Sequence, residues 1–189
     1  MKTMEELAVF YHGRDTEQRI VGGKAIPYVE HPRAIVRRLQ SWGCENTPEG
    51  HVLDIGWGHD LLEDTKIDPA EIVAVAGADT LASIEVLSNL PGKHADKAAY
   101  IAFVAQHATA PELLVKVADR LCNVEDFLVS EGREKAARYF AKAEPVFQAI
   151  WRCRKNVPAD SELFAWMSRA IEDADRLGHA VGAQWKWTE

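Results

Sequence analysis

The chain has 189 residues and a formal charge of −7, with 47% hydrophobic and 27% charged residues. That is the balance of a folded globular domain, long enough to bury a core without staples. The acidic surplus argues against nucleic-acid binding, and no apolar run approaches the roughly 20 residues of a membrane span. A small phosphorylated ligand stays compatible if a basic patch or a cation offsets the repulsion. Met1-Lys2-Thr3-Met4-Glu5-Glu6 turns acidic at once and lacks the apolar stretch of a secretory signal. Cys44, Cys122 and Cys153 are odd in number and widely spaced, without a C-x-x-C pair. Such cysteines point to reduced thiols in a cytoplasm.

In chain order, the pattern predicts helices near 3–12, 32–42, 48–65, 69–76, 79–90, 94–107, 111–130, 132–154 and 160–180. Five prolines stand where a helix should begin: Pro32, Pro48, Pro69, Pro111 and Pro158. Asp68 offers an N-cap oxygen and Glu71 the matching capping-box position. Ile35, Val36 and Leu39 recur at helical spacing and Gly43 suits a stop. Leu113, Leu114, Val117, Leu121 and Val124 form a second such face. Pro145 should kink or split the helix that contains it. Val73-Ala74-Val75-Ala76 could pass for a strand, but its cap and alanines favour a helix. No sustained alternation or Asn-Gly hairpin speaks for a sheet. The expectation is one all-α domain over 1–189, with 150–189 as a C-terminal helical extension.

Chemistry concentrates in Gly58-His59-Asp60-Leu61-Leu62-Glu63-Asp64-Thr65. On a helix, Glu63 and Asp64 lie one turn beyond His59 and Asp60, on a shared face. The apolar neighbours Val52, Leu53, Ile55, Leu61 and Leu62 mark the segment as buried, and buried acids need a partner or a metal. His31 opens an apolar helix, and Asp119 interrupts the apolar run from Leu113 to Leu121. Two imidazoles and two carboxylates suit Mn²⁺, Fe²⁺ or Zn²⁺. Taken singly, each residue has a plain explanation. A His-Asp pair arises by chance, Asp119 could pair with Lys116 or Arg120, and His31 could be a satisfied N-terminal histidine. Their order in one chain favours the metal reading.

That order resembles the hydrolase domain of the RelA/SpoT homologues, especially the small stand-alone alarmone hydrolases. The matching segments are Pro27-Tyr28-x-x-His31-Pro32, His59-Asp60-x-x-Glu63-Asp64-Thr65 and Lys116-Val117-Ala118-Asp119-Arg120-Leu121-Cys122-Asn123. A weaker echo, Arg138-Tyr139-Phe140, extends the likeness to about residue 150. The resemblance implies a single-domain HD-type helical phosphohydrolase fold and hydrolysis of the 3′-pyrophosphate of ppGpp or pppGpp, usually with Mn²⁺; Mg²⁺ is a further candidate ion. It implies His31, His59, Asp60 and Asp119 as ligands, with Glu63 and Asp64 positioning or deprotonating the attacking water. It also implies Asn123 as a nucleotide contact and Lys97 as a phosphate contact. Tyr28, Lys116 and Tyr139 join the substrate-binding set through the same motifs.

The chain departs from the family at Gln18–Tyr28. The basic pair of the family's Q-x-R-K-x-G-x-P-Y segment is broken up, and Ala25 replaces its glycine. Arg19 and Lys24 are the cations left to contact the base, and Gly22 and Gly23 add flexibility. Two other functions therefore remain open. One is a phosphatase for another nucleotide, such as NADPH or a nucleoside monophosphate; the other is a non-catalytic nucleotide-binding module. His12 could line the pocket or lie at the surface, while His51, His94, His107 and His179 lack partners at ligand spacing. Trp151, Trp166, Trp185 and Trp187 read as packing groups. The tail Gln184-Trp185-Lys186-Trp187 is expected to dock on the body or on a second subunit, so a homo-oligomer is among the expected states.

Overall fold

The computed structural model describes residues 2–13, 18–47 and 50–188. Helix α1 (Met4–His12) opens on a capping box, with Thr3 and Glu6 exchanging side-chain and backbone hydrogen bonds. Strands β1 (Gln18–Val21) and β2 (Lys24–Pro27) form an antiparallel hairpin in the register Val21↔Lys24. The hairpin corrects the expectation of no sheet. Gly22 and Gly23 both have positive φ, the backbone that a two-residue turn matched to strand twist requires. Helix α2 (Glu30–Ser41) follows and buries Ile35, Val36 and Leu39 as its spacing predicts.

The helix expected over 48–65 is instead two short ones, α3 (Val52–Gly58) and α4 (Leu61–Asp64). Its predicted start at Pro48 lies outside the described residues. The chain breaks at His59-Asp60, so these residues and Glu63-Asp64 do not share one helical face. Helix α5 (Pro69–Leu87) begins on the Asp68 cap, and the non-helical Gly77 (φ 87°) divides it as the two predicted helices suggest. Glu71 does not close a capping box; its carboxylate takes the Tyr11 hydroxyl proton bond instead. Helices α6 (Lys97–His107), α7 (Ala110–Glu131), α8 (Arg133–Arg154) and α9 (Glu162–Val181) complete the chain. Helix α8 runs through Pro145 without splitting. Pro158 starts no helix, because Ser161 caps α9 four residues before the first full turn ends.

Helix α7 occupies the centre and packs against α2, α3, α5, α8 and α9. From Glu112 to Cys122 every residue is buried, including Lys116, Asp119 and Arg120. Lys116, Asp119 and Arg120 thus form a polar group inside an otherwise apolar core. Among the described residues no helix is long and apolar enough to cross a membrane. Burial raises the Cys44 and Cys122 thiols to about 12, which keeps both protonated and unreactive.

The tail docks on the body. The Gln148 amide donates to the Lys186 carbonyl at 2.8 Å and accepts from the Thr188 N–H at 2.9 Å. Trp187 stacks on Trp151, and Trp185 meets Phe140 edge-on. Gly178 makes room for this: a Cβ there would lie 2.5 Å from Trp185 Nε1 and 2.8 Å from Phe140 Cζ, both on rigid rings. Gly178→Ala is expected to cost about 1–3 kcal/mol through overpacking. Denaturant unfolding followed by tryptophan fluorescence measures it, and an unchanged midpoint would contradict this packing.

Candidate metal centre and its cleft

Four side chains converge from three places in the fold. His31 comes from the first turn of α2, His59 and Asp60 from the α3–α4 break, and Asp119 from the middle of α7. Gly58 allows the break to sit deep, since a Cβ there would come within 2.4 Å of Ile84 Cδ1 and 2.7 Å of Met4 Cε. His31, His59 and Asp119 each offer a ligand atom within 4.8 Å of the other two. Asp60 stands beside this trio, with Oδ2 3.0 Å from His59 Nε2 and 3.6 Å from His31 Nε2. His31 Nε2 lies 3.4 Å from Asp119 Oδ1.

The histidines are set for a cation. His59 is fully buried and its Nδ1 pairs with the Gly56 carbonyl at 2.8 Å. That bond fixes Nδ1 as the protonated nitrogen of the neutral ring, so the lone pair of Nε2 faces the cluster. Nε2 makes no hydrogen bond of ordinary geometry, and His31 Nδ1 is likewise buried without one. Orphaned buried nitrogens are rare in folded proteins, and for His59 Nε2, which faces the cluster, an electron-pair acceptor in the cluster resolves the cost. The donor set of two imidazoles and two carboxylates thus fits a divalent metal.

Charge around the site is strongly organised. Burial alone would raise the Asp119 carboxyl, but Lys116 at 3.0 Å and Arg120 at 3.3 Å outweigh it and hold Asp119 well below the usual carboxylate range. Burial would likewise raise Asp60, but its close pairing with His59 and His31 holds it below the usual carboxylate range, and in the absence of a metal Asp60 in turn raises His59 against the effect of burial. His31 is lowered by burial, which the nearby carboxylates only partly offset, so it is neutral and able to ligate at pH 7. Tyr28 donates its hydroxyl proton to Asp60 Oδ2 at 2.7 Å, and burial pushes its own pKa far up. His12 is buried with its ring 4.8 Å from that of Tyr28.

A cleft of about 240 Å³ opens over these groups. Glu63 and Asp64 line it, and Glu63 Oε2 accepts the Asn89 N–H at 2.9 Å. Glu63 is exposed rather than buried, because α4 ends at the cleft's rim. Lys97, Lys116, Asn123 and Tyr139 also line the cleft; Lys24 is exposed on β2 and does not. Arg19 is present but committed, paired with Asp126 at 2.9 Å and hydrogen-bonded to Asn123 Oδ1. The Asn123 amide nitrogen in turn donates to Asp119 Oδ1. Sequence reasoning missed Asn89, Tyr100 and Phe127 as wall residues. Tyr100 follows Lys97 by three, and Phe127 follows Asn123 by four, so helical spacing alone was a usable signal for both.

Asp119 has a structural duty apart from any metal, since it is the shared counterion of two buried cations. Asp119→Ala is expected to cost about 3–5 kcal/mol in chelator-treated protein, because Lys116 and Arg120 then lie buried and unpaired. Adding Lys116→Met to that variant should recover part of the loss in urea unfolding. No recovery would mean the pairing is not what Asp119 contributes.

No family model matches the chain. A curated relative, a probable guanosine-3′,5′-bis(diphosphate) 3′-pyrophosphohydrolase of Synechocystis, is 28% identical over 138 residues; the match covers 68% of this chain. The chain spans 17% of that relative's length. A solved structure described as a metazoan orthologue of SpoT that hydrolyses ppGpp superposes with a TM-score of 0.74 at 21% identity, covering 96% of this chain and 94% of that one. The resemblance read from the sequence holds in both comparisons, and the superposition shows that the chain shares the helical fold of that structure.

Proposed function

We propose that this chain is a metal-dependent phosphohydrolase that removes the 3′-pyrophosphate of ppGpp or pppGpp, giving GDP or GTP and pyrophosphate. The observation that carries the reading is the convergence of buried His31, His59 and Asp119, with Asp60 beside them, beneath a cleft rimmed by cations. The names of the two relatives support the substrate.

His31, His59, Asp60 and Asp119 would hold the ion, for which Mn²⁺ is the expected identity. When bound, a divalent ion lowers the pKa of water and offsets phosphate charge. Tyr28 keeps Asp60 oriented through its hydroxyl hydrogen bond. Lys116 and Arg120 keep Asp119 ionised and add positive charge where the scissile phosphate would lie. Glu63, at the rim and open to solvent, accepts the proton of the attacking water, with Asp64 beside it in the cleft wall. Attack at phosphorus breaks the bond to the ribose 3′ oxygen, which leaves as the 3′-hydroxyl with the proton returned from Glu63 directly or through solvent, and Lys97 stands in the wall to offset charge on the released pyrophosphate.

Protein purified without chelator is expected to carry one divalent ion per chain. Asp60→Ala should lose it while keeping the helical circular-dichroism signal; unchanged metal content would remove Asp60 from the ligand set. Glu63→Gln keeps shape and removes the base, so turnover should fall on the order of 10²–10⁴-fold with metal retained. A panel of ppGpp, NADPH and nucleoside monophosphates tests the substrate. Preferential turnover of NADPH or a monophosphate overturns the alarmone reading and leaves the hydrolase. Protein that takes up no divalent ion and stays inactive on the whole panel with Mn²⁺ supplied would be a binding module.

A further inference from the structure

A second cleft, of about 840 Å³, lies between α6 and α8 beside the metal centre. The two clefts share Lys97, Arg120 and Tyr139 in their walls, so they adjoin at that junction. The metal-side cleft, at about 240 Å³, falls below the roughly 300–1,000 Å³ usual for a small-molecule site. A nucleotide carrying pyrophosphates at both 3′ and 5′ positions does not fit there whole.

The larger groove is built for what is left over. Its bed is apolar, lined by Ala98 and Ile101 of α6 and by Ala141 and Pro145 of α8. Pro145 brings no N–H, so the Ala141 carbonyl loses its ordinary helical partner beside the bed. Lys142 and Arg152 stand on the groove wall, with Glu144 as the acid among them. Lys135 and Arg138, earlier on the same helix, are paired with Glu131 and Glu134. Lys142 and Arg152 make no ion pair among the described residues. On the opposite, hairpin side, Arg19 is already bound to Asp126 and Asn123. Lys24 on the hairpin lines neither cleft, so the unpaired cations that line the cleft walls beyond the metal centre are, among the described residues, Lys97 on α6 and Lys142 and Arg152 on α8.

We infer that the α6–α8 groove receives the part of the nucleotide remote from the scissile group, with base and ribose on the apolar bed and the 5′ phosphates against Lys142 and Arg152. The inference rests on the nucleotide reading above and moves base recognition from the hairpin to α8. GDP carries the base, ribose and 5′ diphosphate but no scissile group, so it probes the groove without catalysis.

Calorimetric titration of the protein as purified with GDP tests this. The Lys142→Ala/Arg152→Ala variant should bind at least about tenfold more weakly, the size of losing a charge-assisted hydrogen bond. Ala98→Phe, which fills the bed, should abolish binding; if it fails to fold, the double alanine variant decides. With ppGpp as substrate, the double variant should raise KM more than it lowers kcat. No GDP binding by the parent protein, or equal affinity in the double variant, overturns the groove. If ppGpp is cleaved with KM unmoved, the groove falls and the hydrolase stands. If GDP binding depends on the groove but ppGpp is not cleaved, the groove stands and the hydrolase reading falls.

Discussion

A single carboxylate in the most buried helix organises this molecule. Asp119 carries negative charge at a depth where an isolated ion could not persist. It persists because Lys116 and Arg120 approach from its own helix, His31 from α2, and Asn123 from one turn further on. Each of these groups is then held in turn: Lys116 lies over the Tyr100 ring, and Arg120 meets the Tyr139 hydroxyl at 2.5 Å. Placing one acid in the middle of α7 thus fixes the neighbours that build both walls of the cleft. The core packs around a polar centre whose charges folding has already arranged.

That centre was legible in the sequence because it violates its surroundings. Asp119 inside Leu113–Leu121, and His59-Asp60 between Ile55 and Leu61, are polar groups where helical period demands apolar ones. The break between α3 and α4 was not legible, because Leu61 and Leu62 continue the apolar pattern across it. Tertiary packing decides it: Gly58 lets the chain press against Ile84 and Met4, which turns His59 inward. The hairpin was hidden for the opposite reason. In β1 the half-buried side chains are Arg19 and Val21, while Ile20 is 61% exposed, so the usual alternation of apolar-in and polar-out is scrambled. The α6–α8 groove leaves almost no trace in sequence, since alanines and one proline within helices look like ordinary spacing.

The C-terminal segment shows how apolar ends are accommodated. Four aromatic rings, Phe140, Phe147, Trp185 and Trp187, share contacts along α8, and Gln148 clasps the backbone on both sides of Trp187. Gln148 also lines the α6–α8 groove, so one amide joins the groove's wall to the chain's last described residues.

The chain of hydrogen bonds from Arg19 through Asn123 to Asp119 has a thermodynamic consequence. A two-stranded hairpin is marginal by itself, and this one draws its order from ties to α7, including Gly22 N–H to Ser130 Oγ at 2.9 Å. One amide group serves both ends of that chain, giving its oxygen to the hairpin and its nitrogen to the buried acid. Ordering of the hairpin and occupancy of the acid therefore both act on this one amide. Whatever degree of stiffening an occupant of the centre confers on β1 and β2, an occupant of the hairpin returns to the centre in equal measure.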